Sequence, residues 1–242
     1  MIHQFILAAP RPGMETADFQ RYWLEVHAVR YAAKIPQIRR YLVDTRVPFD
    51  GDLGDPPLPH QGIAEIWLDD EQRQLASMQS EEFLQGARLD EPNWAAFWQT
   101  IVVDTTPHEI GLGAPADAPP GGVKMTTLLR RSPGMPLERY REATLDTYAA
   151  AAGGLPGVRG HLHCHTRDGA YVFGEPPFDS VEQMWFADLD ALRRALESRA
   201  YTDHLRKERE ALADPRHVFS MTCEEHWIIG PEPRPRPRTL DR

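Results

Sequence analysis

The chain has 242 residues, with 27 Lys and Arg against 36 Asp and Glu, so its formal net charge is −9 with neutral histidines. An acidic chain without basic clusters is not expected to bind nucleic acid or an anionic membrane surface, because both partners select for Lys and Arg. With 41% hydrophobic residues it can bury a core, as one large domain or two small ones.

The N-terminal apolar stretch Phe5 to Ala9 ends at Pro10. It is too short for a membrane span of about 20 apolar residues, and it lacks the basic start of a secretory signal. We therefore expect a cytoplasmic protein. The two cysteines, Cys164 and Cys223, are too few for a disulfide framework and are predicted to be free, buried thiols.

Hydrophobic periodicity predicts the elements of the first half. They are a strand at 3–9, a helix at 16–34, strands at 38–47 and 62–68, a helix at 70–84, a less regular stretch to 98 and a strand at 100–105. Thr16 is the predicted cap of the first helix, in which Phe19, Trp23 and Val26 recur at helical spacing. The order is β-α-β-β-α-β.

The second half repeats the first. Ile35–Arg39 (IPQIR) recurs as Leu155–Arg159 (LPGVR), and Ile63–Asp70 recurs as Val181–Asp188, at shifts of 120 and 118 residues. Colinear matches of this kind indicate duplication. The predicted elements are strands at 123–129, 158–166, 181–186 and 219–229 and helices at 136–152 and 189–211.

The predicted fold class is α+β, with two tandem ferredoxin-like (βαββαβ) units. Each unit leaves one sheet face bare, so we expect the two units to pack sheet to sheet and to enclose a barrel-like cavity. The predicted domains are residues 1–112 and 122–230. A linker rich in Pro, Gly and Ala joins them at 113–121, and a disordered tail rich in Pro and Arg follows at 231–242.

The first helix resembles that of a known family. The segment from Phe19 to Ala28 (FQRYWLEVHA), followed by IPQIRRY ending at Tyr41, resembles the EthD domain family of dimeric α+β barrel proteins. The resemblance implies that the two copies form such a barrel within one chain, as a monomeric pseudo-dimer or as a homodimer. It also implies metabolism of small aromatic or polyketide-like molecules by cofactor-free dehydratases, decarboxylases, cyclases or oxygenases.

The second copy departs from this pattern. Tyr140, Thr144 and Tyr148 stand at the positions of Phe19, Trp23 and His27. The interval from helix to proline is also one residue shorter. We therefore expect one active cavity in the chain, with the family histidine supplied by the first copy and Tyr148 as an auxiliary proton donor.

His27 is the preferred general acid or base. It lies about 80° from Phe19 around the helix, on the flank of the apolar stripe, where it can contact both the core and a pocket. An imidazole with a pKa near ~6.5 takes and gives protons at working pH. A structural histidine that closes the helix end is the alternative interpretation.

Three histidines alternate along one predicted strand. His161, His163 and His165 share one face, and they point into the cavity if Leu162 packs against the helices. We expect His161 and His163 to assist catalysis. Neighbours two residues apart can converge on a metal, but a third ligand would have to come from elsewhere, with Glu224, His226 and His108 as candidates. Acid–base or hydrogen-bonding use is favoured, and no metal is predicted.

Aromatic side chains at repeated positions are candidates to contact a flat, hydrophobic substrate. The predicted substrate-binding residues are Trp23, Tyr41, Trp67, Trp185 and His165. Burial in the core is the common role of such residues. Asp44 is expected to face solvent.

No Gly-rich phosphate loop, GxSxG elbow or HExxH motif occurs in the chain, so no nucleotide, flavin or nicotinamide cofactor is expected. The preferred function is a cofactor-independent lyase that dehydrates or decarboxylates a hydrophobic small molecule, with cyclisation on the same groups next. A cofactor-free monooxygenase of phenolic or anthrone-type substrates is the second interpretation. A non-catalytic ligand-binding accessory protein is the third.

Overall fold

The computed structural model describes residues 1–53, 57–110, 122–172 and 174–236. The chain divides into two compact units. Unit 1 contains Met1–Thr45, Pro59–Asp104 and the segment that begins at Glu225, and unit 2 contains Arg46–Leu58 and Thr105–Glu224. These boundaries differ from the predicted division at 112 and 122, because the last strand of each repeat continues beyond its own unit. The predicted linker at 113–121 lies outside the described residues.

Unit 1 is built on an antiparallel sheet in which β3 (Gly62–Leu68) lies between β1 (Ile2–Ala8) and β2 (Arg40–Arg46). The start of β4 (Ile101–Glu109) and the end of β8 (Ala213–Ile229) belong to the same unit. The first helix is α1 (Thr16–Tyr22), which continues as a π-helical segment, Trp23–Tyr31, and a 3₁₀ turn, Ala32–Lys34. The second helical region contains α2 (Glu71–Gln79), a π-helical turn Glu82–Ala87, α3 (Arg88–Asp90) and 3₁₀ turns at Glu91–Asn93 and Phe97–Gln99.

Unit 2 has the same order of elements. In its sheet β5 (Val123–Arg131) pairs with β7 (Ser180–Phe186) and with β8, β7 pairs with β6 (Gly160–Thr166), and β6 pairs with the end of β4. Its helices are α4 (Leu137–Leu145), α5 (Thr147–Gly153), α6 (Leu189–Glu197), a π-helical turn Ala200–Leu205 and α7 (Arg206–Leu212). A 3₁₀ turn spans Asp168–Tyr171. The α+β class and the two ferredoxin-like repeats are confirmed.

The repeat extends to local chemistry. Asp70 caps α2 by accepting a hydrogen bond from the backbone N–H of Arg73, and Asp188 caps α6 in the same way from Ala191. Between the first helix and the proline that follows it, the first repeat has one residue more than the second. The wider π-helical turns of Trp23–Tyr31 accommodate this residue. In the second repeat the helix breaks at Asp146 instead, between α4 and α5.

The helices of unit 1 pack on the sheet face that carries Ile6, Tyr41 and Ala64. In unit 2 the equivalent face carries Met125, Met184 and Phe186. The condition that Leu162 packs against the helices is not met. His163 contacts Tyr148 and His165 bonds to Thr144, both of which belong to the helices. His161 has the same strand parity, so all three histidines lie on that face instead. Every residue of β6 is buried, so the alternation of residue types along β6 did not identify its helix-facing side.

Two further expectations are corrected. Asp44 is fully buried and does not face solvent. In the predicted disordered tail, the backbone N–H of Arg234 donates to the carbonyl of Arg39, and the Arg236 guanidinium pairs with Asp69. Residues 231–236 are therefore held on unit 1, while 237–242 lie outside the described residues. Cys164 and Cys223 are buried thiols outside any disulfide, as predicted. Among the described helices none has both the length and the apolar character that a membrane crossing requires.

Candidate active site

Unit 1 contains a cavity of about 100 Å³ between its sheet and its helices. The sheet supplies Ile6, Tyr41 and Ala64, and the helical side supplies Trp23 and His27. One ordered water needs about 10–15 Å³, so the space suits one small organic molecule. Its lining is mainly apolar and aromatic, which is typical of small-molecule sites.

The sequence places Trp23 closely against the sheet. A Cβ atom at Gly62 would lie 2.8 Å from a ring carbon of Trp23 and 2.6 Å from the carbonyl oxygen of Asp44. Only glycine allows this approach of helix and strand. The indole N–H of Trp23 then donates to the Tyr41 hydroxyl at 3.2 Å, which fixes both predicted substrate-binding residues in the cavity wall.

His27 lies in the π-helical segment, a geometry often found at functional sites. Its Nδ1 is 2.9 Å from Oδ2 of Asp90, a residue of α3. The other oxygen of Asp90 accepts hydrogen bonds from the Tyr22 hydroxyl at 2.8 Å and from Asn93 at 3.1 Å. This geometry holds the carboxylate still and thereby fixes the orientation of the imidazole.

Burial lowers the pKa of His27 below its ordinary value, and the carboxylate of Asp90 opposes that effect only in part. The imidazole is therefore neutral at pH 7. When Nδ1–H donates to Asp90, Nε2 carries the lone pair. His27 is thus prepared to act as a base toward a molecule in the cavity, while the Trp94 ring, 4.6 Å away between centroids, packs against its side.

Two more titratable groups line the cavity. Glu91 follows Asp90 in the chain, and burial raises the pKa of its carboxyl group, which favours the protonated acid. Burial also raises the pKa of Tyr41, so its hydroxyl remains a hydrogen-bond donor. A neutral imidazole, a carboxyl group and a phenol therefore surround one apolar space.

The corresponding positions in unit 2 carry a buried polar network. By strand register and repeat, His161, His163 and Glu182 stand where unit 1 has Tyr41, Val43 and Ala64. The Nε2 of His161 is 2.8 Å from Oε1 of Glu182, and the Tyr148 hydroxyl donates to Oε2 at 2.7 Å. All these side chains are at most 1% exposed. Of these three positions in unit 1, those of Tyr41 and Ala64 line the cavity, whereas in unit 2 their counterparts His161 and Glu182 bond to each other.

The prediction was that His27, His161 and His163 line one chamber, and the structure does not bring them together in this way. His27 lines the cavity of unit 1, whereas His161 and His163 belong to the network of unit 2. His165 lies on the same strand, with Nε2 2.8 Å from the Thr144 hydroxyl, and burial lowers its pKa to about 3. Its ring packs on His108, with 4.6 Å between the ring centroids.

The other predicted aromatic contacts lie on the opposite sheet faces. Trp67 stacks on His3 at 4.2 Å and on Trp227 at 5.6 Å between ring centroids. Trp185 lies beneath the Lys124 ammonium, 5.7 Å from its ring centroid. Neither indole is part of the cavity lining.

Sequence reasoning missed Asp90, Glu91 and Glu182. Asp90 and Glu91 fall in the stretch predicted to be irregular, and 63 residues separate Asp90 from His27, so no local motif links them. For Glu182, by contrast, the sequence does contain a signal of its role. It shares strand parity with Met184 and Phe186, and a carboxylate on the face that carries such apolar residues requires a polar partner.

Comparisons place the chain among known proteins. Over its full length it is similar to the crystal structure of an anthrone oxidase-like protein, with a TM-score of 0.64 and 11% identity over 93% of this chain and 92% of that chain. A proposed monooxygenase from Lactobacillus acidophilus gives a TM-score of 0.53 and 12% identity over 94% and 95% of the two chains. An EthD-family protein from Bacillus halodurans aligns at 23% identity with 43% of this chain and 99% of its own, at a TM-score of 0.36.

At these identities the first two similarities show a shared fold alone. No curated protein matches the chain. The model of the EthD domain matches it twice, over residues 11–97 and 132–216, and the two matches together cover more than half of the sequence. The chain belongs to the EthD domain family, of which it carries two copies.

Proposed function

We propose that the protein is a cofactor-independent enzyme whose single active cavity lies in unit 1. In it, His27 removes a proton from a hydrophobic, aromatic or polyketide-like small molecule. The observation that carries this proposal is the hydrogen bond between Nδ1 of His27 and Asp90 at the wall of an apolar cavity. Together with the lowered pKa of His27, it supports a neutral base with a fixed tautomer.

The other polar groups of the cavity have matching roles. The Tyr41 hydroxyl accepts from Trp23 and keeps its own proton for donation to a substrate carbonyl oxygen. Such a hydrogen bond stabilises the enolate that forms when His27 takes the neighbouring C–H proton. The aromatic rings of Trp23 and Trp94 provide flat apolar contact surfaces.

Dehydration is the reaction that uses all of these groups. His27 takes the α-proton of a β-hydroxy carbonyl compound, the C–H electron pair forms the new double bond, and the C–O bond to the hydroxyl group breaks. Glu91 delivers a proton to the leaving oxygen, so that water departs. The raised pKa of the Glu91 carboxyl group supports its role as this acid, and we therefore place lyase chemistry first.

Oxygenation is the second candidate, because it needs only the base and the apolar space. If His27 deprotonates an anthrone-type carbon, the carbanion reduces dioxygen to a bound hydroperoxide, which loses water to leave a ketone. One oxygen atom enters the product and the other leaves as water. The shared fold with an anthrone oxidase-like protein is consistent with this chemistry.

One experiment separates the candidates. Aryl β-hydroxyketones and anthrone are incubated with the protein in deuterated water, and α-carbon exchange, the dehydrated product and oxygen consumption are recorded. Lyase activity gives exchange and the conjugated ketone without oxygen uptake, whereas oxygenation consumes one dioxygen for each anthrone. Binding of these probes without exchange or product would refute the enzyme proposal and identify a ligand carrier.

A further inference from the structure

The buried network of unit 2 contains a histidine without a hydrogen-bond partner. His163 is 0% exposed, and among the described residues neither of its ring nitrogens has a hydrogen-bond partner. Nδ1 of His161 is also buried and has no hydrogen-bond partner among the described residues. Leaving a buried polar group unpaired costs about 1–3 kcal/mol, so a fully buried imidazole with two unsatisfied nitrogens indicates a missing partner.

Three potential metal ligands converge at this point. One ring nitrogen each of His161 and His163 and one carboxylate oxygen of Glu182 all lie within 4.8 Å of one another. Two imidazoles and one carboxylate form a ligand set typical of zinc and of other first-row transition metals. From these contacts we propose that His161, His163 and Glu182 bind one divalent first-row transition-metal ion, with zinc as the preferred occupant.

The strands position the ligands for this role. His161 and His163 are two residues apart on β6, and Glu182 is the register partner of His163 on β7. Nε2 of His161 and Oε1 of Glu182 are 2.8 Å apart. Ligands around a tetrahedral zinc with bonds of about 2.0–2.1 Å are roughly 3.4 Å apart, so these two atoms need to separate by only about half an ångström.

Tyr148 completes the surroundings of the site. Its hydroxyl donates to Oε2 of Glu182 at 2.7 Å, which leaves Oε1 to bind the ion. Partners of this kind orient a ligand and tune its basicity.

The sequence offered three candidates for a third ligand and did not include Glu182 among them. The candidates Glu224, His226 and His108 are not part of the cluster, and His226 binds Thr45 in unit 1 at 2.9 Å. The site is fully enclosed, so we expect the ion to enter during folding and to stabilise unit 2. This role is separate from the proposed chemistry of His27, and failure of either proposal leaves the other standing.

The test uses the full chain without a histidine tag. The protein is unfolded, refolded with either zinc or EDTA, dialysed and analysed for zinc, iron, manganese, cobalt, nickel and copper by mass spectrometry. We expect about one zinc per chain, together with a Tm at least about 5 °C higher than that of the EDTA sample. Retention of less than a tenth of an equivalent of any of these metals would overturn the proposal.

Two variants locate the metal. His163→Gln is expected to lose at least about 90% of the bound zinc and the zinc-dependent rise in Tm. His165→Gln is the matched control on the same strand, and it should retain both. Equal zinc binding by His163→Gln and the wild-type protein would assign the metal to another position and contradict the site. If a variant does not fold, the proposal is tested by the metal content and Tm of the wild-type protein refolded with zinc or with EDTA.

Discussion

His27 and Asp90, 63 residues apart in the sequence, are joined by a hydrogen bond of 2.9 Å between Nδ1 and Oδ2. Because this bond places the imidazole proton on Nδ1, Nε2 is the basic nitrogen of a residue that lines the cavity. Tyr22 and Asn93 hold the other carboxylate oxygen. Asp90 therefore acts as a positioning residue for the base that we propose.

Asp90→Asn is expected to lower turnover by about 100-fold or more, because an amide can stabilise the wrong imidazole tautomer. KM should change little, since Asp90 does not line the cavity. Tyr22→Phe removes only one hydrogen bond to the far oxygen of Asp90, and we expect a loss below about tenfold. Equal rates for Asp90→Asn and wild type, measured on any substrate from the screen, would remove Asp90 from the mechanism.

The protonation of His27 can be measured without a substrate. Burial lowers its pKa below the ordinary value of 6.5, so the ring is neutral at pH 7 and gains its proton only in more acidic solution. Nitrogen-15 NMR of the labelled protein should show the Nδ1–H tautomer and a titration midpoint below 6.5. The rate should be constant near neutrality and fall on the acid side. A midpoint above 6.5 would contradict the assigned environment.

Glu91→Gln separates proton removal from loss of the hydroxyl group. If Glu91 is the acid for dehydration, its substitution should slow formation of the dehydrated product by about 100-fold. Exchange at the α-carbon in deuterated water should continue, because His27 is unchanged. Glu82→Gln, an exposed position of the same unit, is the control. If Glu91→Gln dehydrates the substrate at the wild-type rate, Glu91 is not the acid that protonates the leaving oxygen.

Glu182→Ala tests the division of roles between the units. It leaves Nε2 of His161 and the hydroxyl of Tyr148 buried without their partner, so the free energy of unfolding should fall by about 2–4 kcal/mol. Urea unfolding in the presence of EDTA measures this loss, with the exposed Glu197→Ala as control. Turnover at temperatures where the variant is folded should match the wild type. Loss of turnover without loss of stability would show that the network takes part in catalysis.

Much of the fold could be predicted from sequence patterns. The β3 prediction, residues 62–68, coincides with Gly62–Leu68, because it combines apolar β-formers with a repeated Trp position. The helix starts predicted at 70 and 189 lie at or next to the observed starts, Glu71 and Leu189. The predicted β4 ends at 105 and not at Glu109, and the predicted β8 begins at 219 and not at Ala213. These parts of the strands depend on pairing with residues far away in the chain, such as Thr106 with His165 and Ala213 with Arg131.

The site could be predicted only in part. His27, Trp23 and Tyr41 came from the resemblance of one helix and the strand that follows, and all three line the cavity. The faces of β6 were reversed, because Leu162 and His163 are both buried and burial on two sides removes the usual polar and apolar alternation. Asp90 depends on tertiary contact, which no local spacing encodes.

The most direct measurement of the central claim is α-carbon deuterium exchange of an aryl β-hydroxyketone in deuterated buffer, followed by proton NMR. It compares wild type, His27→Gln and the exposed control His204→Gln, with circular dichroism to verify folding. We predict that His27→Gln lowers the enzyme-dependent exchange rate by about 100- to 10,000-fold, while His204→Gln matches wild type. A folded His27→Gln protein that exchanges at the wild-type rate would contradict the account.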